Sequence, residues 1–273
     1  MPFMKFGICN EIFKDWSFER AFEYVKQTGY DGIEIAPFTC APYVTDVSLQ
    51  RRAEIKDLAA KHELEITGIH WVLVQAEGMH MTHPDESVRW RTQQYFRDLV
   101  AFCRDLGGKS IIVGSPQQRN LEPEVTLEQA TAWASEVFRP AVGDAEDHGI
   151  TICFEPLAPS ETNFMNTASE AIEFIERLPS PAFKIILDVK AMCSMGQPIP
   201  DIIRQSAPHF AYFHANDANL KGPGFGEVDF VPIAQALKEV SYDGYVSVEV
   251  FKFEEGPEVI ATESLSYLKQ SFS

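Results

Sequence analysis

The sequence has no long uninterrupted apolar segment, and it is poor in basic residues. Its 273 residues include 40 Asp and Glu but 23 Lys and Arg, which gives a formal net charge of −17, and the longest basic run is Arg51-Arg52. Proteins that bind nucleic acid through its phosphates need clustered Lys and Arg, and a helix that spans a membrane needs about 18 or more consecutive apolar residues. We therefore expect no nucleic-acid partner and no membrane partner.

Paired cysteines and a secretory leader are also missing. The five cysteines are odd in number and widely spaced, with no Cys-x-x-Cys motif, which is typical of reduced and mostly buried thiols in an intracellular protein. Residues 1–7 (MPFMKFG) contain no basic segment followed by an apolar one. These absences predict a cytoplasmic protein.

A glycine-rich phosphate loop is absent as well, because no Gly-x-Gly-x-x-Gly turn follows the first predicted strand and no Walker-type motif occurs. Short runs rich in β-branched and aromatic residues instead alternate with segments of helical periodicity. The predicted strands are 5–9, 32–35, 65–71, 110–114, 151–155, 183–188, 210–214 and 245–249. The predicted helices are 17–28, 48–62, 86–106, 127–148, 167–177, 199–206, 231–240 and 257–270.

Eight strand-helix units in succession predict an α/β fold, a (β/α)8 TIM barrel, in preference to an open doubly wound sheet. The length alone would allow two domains. Because no Pro-, Gly- or Ser-rich linker interrupts the alternation, we expect residues 1–273 to form a single domain.

The last four predicted strands each end in a residue type that binds metal ions: Glu155, Asp188, His214 and Glu249. The active site of a TIM barrel lies at the C-terminal ends of its strands, so we expect the four side chains to meet there. One acidic residue at a strand end is commonly a helix cap or a lysine partner. Three neighbouring buried carboxylates would be costly without a cation, so four such residues in succession favour a metal site.

The chemistry of these four side chains indicates which ions they bind. Three carboxylates and one imidazole form an oxygen-rich donor set that suits Mn²⁺, Mg²⁺ or Co²⁺ better than structural zinc, which prefers thiolates and imidazoles. We expect Mn²⁺ as the cofactor, with Mg²⁺, Co²⁺ and Zn²⁺ as alternatives.

Several motifs of the sequence resemble those of a known family. They are residues 29–34 (GYDGIE), 154–157 (FEPL), 187–188 (LD), 213–217 (FHAND), 222–230 (GPGFGEVDF) and 242–245 (YDGY), the last running into Glu249. Together with the spacings of 33, 26 and 35 residues between the four candidate ligands, they resemble the xylose isomerase-like TIM barrels of the sugar phosphate isomerase/epimerase superfamily. Within it, the sequence is most similar to the ketose 3-epimerases of the D-tagatose and D-psicose type. The resemblance covers essentially the whole chain.

The resemblance implies a divalent-metal-dependent sugar isomerase or epimerase. It makes Glu155, Asp188, His214 and Glu249 the metal ligands, and it places Glu155 and Glu249 on opposite sides of the bound sugar as an acid/base pair. The implied chemistry is proton abstraction next to a carbonyl through an enediolate. The resemblance also implies a homo-oligomer, either a dimer or a tetramer.

The sequence departs from the ketose 3-epimerase pattern at residues that contact the sugar. Ala158-Pro159 stands where the pattern has Asn-Arg, although the following Glu161 is retained. Ala191 occupies the position of a histidine three residues after the metal Asp, and Leu220 that of an arginine six residues after the metal His. These departures indicate a carbohydrate substrate that is different from a free ketohexose or larger than one.

Other polar residues are candidates to replace the missing substrate contacts. Beside Glu161, they are His70 at the end of the third strand, Arg119 after the fourth, Lys190 after Asp188, and Asn216 with Asp217. Each has a structural alternative. His70 is equally compatible with a core histidine, Arg119 with a surface ion pair, and Lys190 with a salt bridge to a nearby carboxylate.

Three other functions fit parts of the pattern. A lyase or dehydratase would use the same proton abstraction on a keto-sugar, keto-glycoside or inosose and then eliminate a β-substituent. An apurinic-site endonuclease shares the barrel and a metal-rich top, but it needs more histidine ligands and a basic surface for DNA, which the charge of −17 disfavours. A non-catalytic carbohydrate-binding protein is the third alternative, but it would not need the two carboxylates Glu155 and Glu249, whose presence favours catalysis.

Overall fold

Eight parallel strands form a closed barrel in the order of the sequence, as a computed structural model of residues 4–273 describes it. The strands are β1 (Lys5–Cys9), β2 (Gly32–Ile35), β3 (Glu65–Ile69), β4 (Ser110–Val113), β5 (Thr151–Phe154), β6 (Phe183–Asp188), β7 (Phe210–Ala215) and β8 (Tyr245–Val248). Strand β1 pairs with both β2 and β8, which closes the barrel. The predicted TIM barrel is thereby confirmed.

Nine α-helices follow the strands within the described residues and surround the barrel. They are α1 (Phe18–Thr28), α2 (Leu49–Lys61), α3 (Glu86–Leu106), α4 (Leu127–His148), α5 (Ala168–Ile175), α6 (Val189–Met192), α7 (Ile199–Ser206), α8 (Phe230–Glu239) and α9 (Pro257–Ser271). The helical pattern predicts eight of them. The short helix α6 was missed because its four residues are too few to show a period; it forms where the Asp188 side chain accepts a hydrogen bond from the Ala191 amide.

Local sequence signals account for the limits of the first helix. The side chain of Ser17 accepts a hydrogen bond from the Arg20 amide and caps the N-terminus of α1. Gly29 ends the helix with φ 101°, a left-handed conformation that glycine adopts without steric cost. The chain then enters β2 at Gly32, so the connection from α1 to β2 has three residues, as the sequence predicts.

Side chains fill the barrel and the space between barrel and helices. Inside the barrel, Ile112, Cys153, Ile186 and Tyr212 pack together. Outside it, Phe138 of α4 contacts Phe154 of β5 and Phe174 of α5; a fully buried Phe contributes about 1.5–3 kcal/mol. The barrel is thus a packed core rather than a channel, and a ligand site must lie at its end. Among residues 4–273, no helix has both the length and the apolar character needed to cross a membrane.

Candidate active site

Three carboxylates meet at the C-terminal end of the barrel. Asp188 is the last residue of β6. Glu155 and Glu249, which the sequence predicts as the last residues of their strands, each lie one residue beyond the end of β5 or β8. Their amides still bond to the neighbouring strands, to the carbonyls of Val113 and Ala215, at 3.2 Å each. Ligand oxygens of the three acidic residues all lie within 4.8 Å of one another, and all three residues are buried.

His214 joins this group beside Glu249. Its Nδ1 atom lies 3.1 Å from Oε2 of Glu249, yet neither buried atom has a hydrogen-bond partner with acceptable geometry. Two unpartnered ligand atoms this close together, a ring nitrogen and a carboxylate oxygen, are of the types that bind one metal ion. The other ring nitrogen, Nε2, lies 3.1 Å from both carboxylate oxygens of Glu34, so Nδ1 is the atom available to a cation.

The charges of this cluster are unfavourable for an empty site. Burial raises the pKa of the Glu155 carboxyl well above its ordinary value, and the negative charges of Asp188 and Glu249 raise it further. Burial also raises the pKa of Asp188. Burial alone would lower the pKa of His214, but Glu249 and Glu34 raise it well above its ordinary value. The cluster therefore attracts positive charge, and its donor set fits a divalent cation.

Neighbouring groups hold the Asp188 carboxylate in place. One oxygen accepts a hydrogen bond of 2.8 Å from the Ala191 amide, and the other accepts one of 2.6 Å from Nδ2 of Asn216. Oδ1 of Asn216 in turn accepts a bond of 2.7 Å from the Lys190 amide. Supporting bonds of this kind orient metal ligands in proteins.

Gly114 leaves room for the Glu155 carboxylate. A Cβ atom at this glycine would lie 1.8 Å from Oε2 of Glu155, which is far inside van der Waals contact. Within residues 4–273, no group donates a hydrogen bond to the Glu155 carboxylate. This side chain is therefore free to act on a ligand in the space in front of it.

Trp71 holds the third carboxylate. Its indole nitrogen donates a hydrogen bond of 2.7 Å to Oε1 of Glu249. The indole ring stacks between Phe38 and Phe251, with ring centroids 5.9 Å apart on each side. One oxygen of Glu249 is thus fixed by the protein, and the other lies beside His214.

A cavity of about 220 Å³ opens in front of the acidic cluster, and we call it the inner cavity. Glu155 and Glu249 line it together with Trp71 and Phe251. Of the six predicted substrate contacts, Glu161 and Lys190 also line it. These two form an ion pair at its edge, with 2.9 Å between Nζ and Oε1.

The structure does not place the other four predicted contacts, His70, Arg119, Asn216 and Asp217, on the wall of this cavity. The Arg119 guanidinium is fully buried and donates to the backbone carbonyls of Ser115, Val113 and Glu155. We correct its assignment from substrate contact to support of the β4 and β5 ends.

The side chains of the other three residues also contact groups of the protein. His70 is buried, with Nε2 2.6 Å from Oε2 of Glu11. Asn216 holds Asp188, and Asp217 accepts a hydrogen bond from the Val228 amide at 2.9 Å. We correct these three assignments in the same way, because all three side chains are buried and each already contacts another part of the protein.

The fold agrees with comparisons against known proteins. The family model described as a xylose isomerase-like TIM barrel matches residues 22–271. The chain belongs to this family. The D-psicose 3-epimerase of Ruminiclostridium cellulolyticum is 25% identical over 253 residues, which cover 91% of this chain and 84% of that protein.

Solved structures with the same fold superpose on most of the chain. A D-psicose 3-epimerase crystallised in the presence of D-fructose matches with a TM-score of 0.86 and 22% identity, covering 98% of this chain and 99% of the other. A 3-keto-D-glucoside 4-epimerase from E. coli matches with a TM-score of 0.85 and 22% identity, covering 98% and 100%. At this identity the likeness shows the fold alone.

Two acidic residues of this xylose isomerase-like barrel were not predicted as part of the site. Glu34 is fully buried and lies between the rings of His214 and His70, 3.1 and 3.8 Å away, and Glu11 binds His70 from the other side. A charged residue inside the four-residue apolar strand β2 is a signal that could have indicated Glu34. Glu11 lies in a short 3-10 helix (Asn10–Phe13) after β1 and not inside an apolar strand, so it offers no such signal.

Proposed function

We propose that this chain is a divalent-metal-dependent carbohydrate epimerase that removes and returns a proton at a carbon next to a carbonyl. The convergence of Glu155, Asp188 and Glu249 at the inner cavity, with His214 beside them, carries the proposal. Membership of the xylose isomerase-like family supports it, as do the epimerase names of the relatives.

The four proposed ligands are Glu155, Asp188, His214 through Nδ1, and Glu249 through Oε2. Their hard oxygen-rich set favours Mn²⁺, with Mg²⁺, Co²⁺ and Zn²⁺ as alternatives. When bound, the cation would polarise the substrate carbonyl and stabilise the negative charge that develops as the neighbouring proton leaves. Asn216 and Glu34 keep two of the ligands oriented, which lowers the cost of assembling the site.

Glu155 and Glu249 are the proposed proton carriers. The Glu155 carboxylate accepts no hydrogen bond within the described residues and faces the inner cavity, so it is free to take a proton. Glu249 lines the same cavity from β8, and Trp71 fixes its orientation. A proton taken by one carboxylate and returned by the other on the opposite face of the carbon inverts that centre.

Exchange of solvent deuterium tests the proposal. The metal-loaded protein is incubated in D2O with free ketoses and keto-glycosides, and we expect deuterium at a carbon next to the carbonyl together with an epimer of unchanged heavy-atom composition. Chelation should stop both, and readdition of Mn²⁺ should restore them. Absence of metal-dependent exchange across the panel would refute the proposal, and a product lighter by the eliminated group would favour the lyase instead.

Substitution of the two carboxylates completes this test. Glu155→Gln and Glu249→Gln keep the shape of each side chain but cannot accept a proton, so each should abolish turnover while circular dichroism shows an unchanged fold. Unchanged activity in both variants would overturn the assignment. A single domain over residues 1–273, a homo-oligomer and a cytoplasmic location remain predictions.

A further inference from the structure

A second cavity, which we call the outer cavity, lies next to the inner one. Its volume is about 420 Å³, against about 220 Å³ for the inner cavity. Glu161, Lys190 and Phe251 line both, so the two cavities meet at these three side chains. The two cavities are therefore adjacent, and a ligand at the acidic cluster that extends past the Glu161–Lys190 pair reaches the outer cavity.

Two of the positions where the sequence departs from the ketose 3-epimerase pattern line the outer cavity. Ala158 and Leu220 stand at positions where that pattern has Asn and Arg, and both line the outer cavity. Ser160 and Ala218 also line it, and both are exposed. At Ala158 and Leu220, a polar side chain of that pattern is thus replaced by a shorter apolar one that cannot hydrogen-bond to a small free sugar.

The charge of this space is nearly neutral. Its only charged lining residues within the described chain are Glu161 and Lys190, and these are paired with each other at 2.9 Å. The Lys190 ammonium also lies 4.0 Å from the ring centroid of Phe251 and is largely buried. A phosphate or carboxylate in the outer cavity would find no unpaired basic partner there, and it would lie close to Glu161.

We propose that the substrate is a keto-sugar that carries an uncharged extension, a second sugar ring or a neutral aglycone, and that this extension occupies the outer cavity. The keto-sugar itself occupies the inner cavity at the acidic cluster, so this inference rests on the proposed function. The hydroxyl group of Ser194 and the apolar side chains of Leu220 and Phe251 offer the mixed contacts that a neutral sugar ring uses.

A substrate panel tests this proposal on the metal-loaded protein. The probes are free D-fructose, fructose with a glucosyl group on O4 or on O6, a 3-keto-glucoside with a neutral aryl aglycone, and fructose 6-phosphate. The readout is metal-dependent deuterium exchange next to the carbonyl, expressed as kcat/KM. We expect at least one neutral extended probe to exceed free fructose by about tenfold or more, and the phosphate to fall below that probe.

Variants that fill the outer cavity give the second arm. Ala218→Trp and Ser160→Trp place an indole in the outer cavity at exposed positions, where a large side chain is tolerated by the fold. Each should lower kcat/KM for the extended probe by about tenfold or more and leave that for free fructose within about twofold. Ala132→Trp, at an exposed position of α4 away from both cavities, is the matched control and should change neither value.

The outcomes separate this inference from the proposed function. Exchange with free fructose that equals or exceeds exchange with every extended probe would overturn the inference and leave the epimerase intact. The same holds if both tryptophan variants treat extended and free probes alike, or if the phosphate is the preferred probe. No metal-dependent exchange with any probe would overturn the proposed function, and the inference with it.

Discussion

The indole nitrogen of Trp71 and Oε1 of Glu249 lie 2.7 Å apart, in a hydrogen bond that links the end of β3 to the end of β8 across the mouth of the barrel. Trp71 has φ 51°, a left-handed conformation that costs a bulky residue about 1–3 kcal/mol. The stacking of its ring on Phe38 and Phe251 holds the residue in this conformation. The strain is therefore located at a contact with one of the proposed proton carriers.

The first prediction concerns this hydrogen bond. Trp71→Phe keeps an aromatic ring between the two phenylalanines but removes the donor, so Glu249 loses its orientation. Because a hydrogen bond to a charged group contributes about 1.5–3 kcal/mol, we expect kcat to fall by about tenfold or more with little change in KM. Steady-state kinetics on the best substrate measures this division between the two constants.

Phe38→Leu is the matched control for that variant. It removes one stacking partner and leaves the indole donor in place, so its kcat should stay closer to that of the unchanged protein. If Trp71→Phe retained full kcat, or if both variants lost it equally, the hydrogen bond would have no positioning role.

The second prediction concerns the space beside Glu155. In Gly114→Ala the new methyl group would lie 1.8 Å from Oε2 of Glu155, so the carboxylate has to move. We expect Mn²⁺ affinity, measured by calorimetry, to fall by about tenfold or more, while the barrel stays folded. Gly143→Ala in α4 is the control, because a Cβ there meets nothing within 4 Å. It should keep the affinity and stabilise the protein by about 0.5–1 kcal/mol; equal affinity in both variants would contradict the prediction.

The third prediction concerns Glu34, which fixes the His214 ring through Nε2. Glu34→Gln keeps the shape of the side chain but removes the charge that favours a proton on Nε2. Loss of such a partner typically weakens metal binding by about 10–100-fold. Mn²⁺ binding followed by electron paramagnetic resonance gives this value without any assay of activity. Glu65→Gln, at an exposed carboxylate that pairs with Lys5, should leave binding unchanged. A Glu34→Gln variant with native affinity would exclude a supporting role.

Strand ends were the part of the site that the sequence could predict. Asp188, Glu155 and Glu249 each follow an apolar run, and a polar residue at that point of a TIM barrel lies at the C-terminal face, where the active site is. The direction of a side chain is not encoded in such a pattern. His70 follows β3 in the same way, yet its ring turns inward to Glu11 and Glu34.

The supporting residues and the cavities depend on contacts between distant segments. The burial of Arg119 follows from carbonyls of β4 and β5 that converge on its guanidinium, a geometry that no local spacing reveals. Ala158 and Leu220, which replace the Asn and Arg of the ketose 3-epimerase pattern, both line the outer cavity. The sequence shows the two replacements but does not show that they adjoin the same cavity. The fold and the convergence of the acidic strand-end residues were therefore predictable, whereas the arrangement around them required the structure.

The last prediction concerns the stability of the protein without metal. Burial and the charges of Asp188 and Glu249 disfavour the ionised form of Glu155 in the folded state and raise its pKa, so this carboxylate destabilises the metal-free fold at neutral pH. Glu155→Gln removes that charge. We expect the metal-free variant to be more stable than the metal-free original by about 1 kcal/mol or more in urea unfolding at pH 7.

Addition of Mn²⁺ should reverse this order. A ligand that binds the folded state alone, at 100 times its dissociation constant, stabilises the original protein by about 2.7 kcal/mol. The Glu155→Gln variant lacks one ligand and should gain much less at the same concentration. Glu161→Gln is the comparison, because its carboxylate lies at the cavity edge and pairs with Lys190 instead of joining the cluster. Two results together would contradict a cation site at the carboxylate cluster: a metal-free Glu155→Gln variant that is less stable than the original, and a stabilisation by Mn²⁺ as large as that of the original. In that case neither the repulsion between the carboxylates nor the affinity for Mn²⁺ would depend on Glu155.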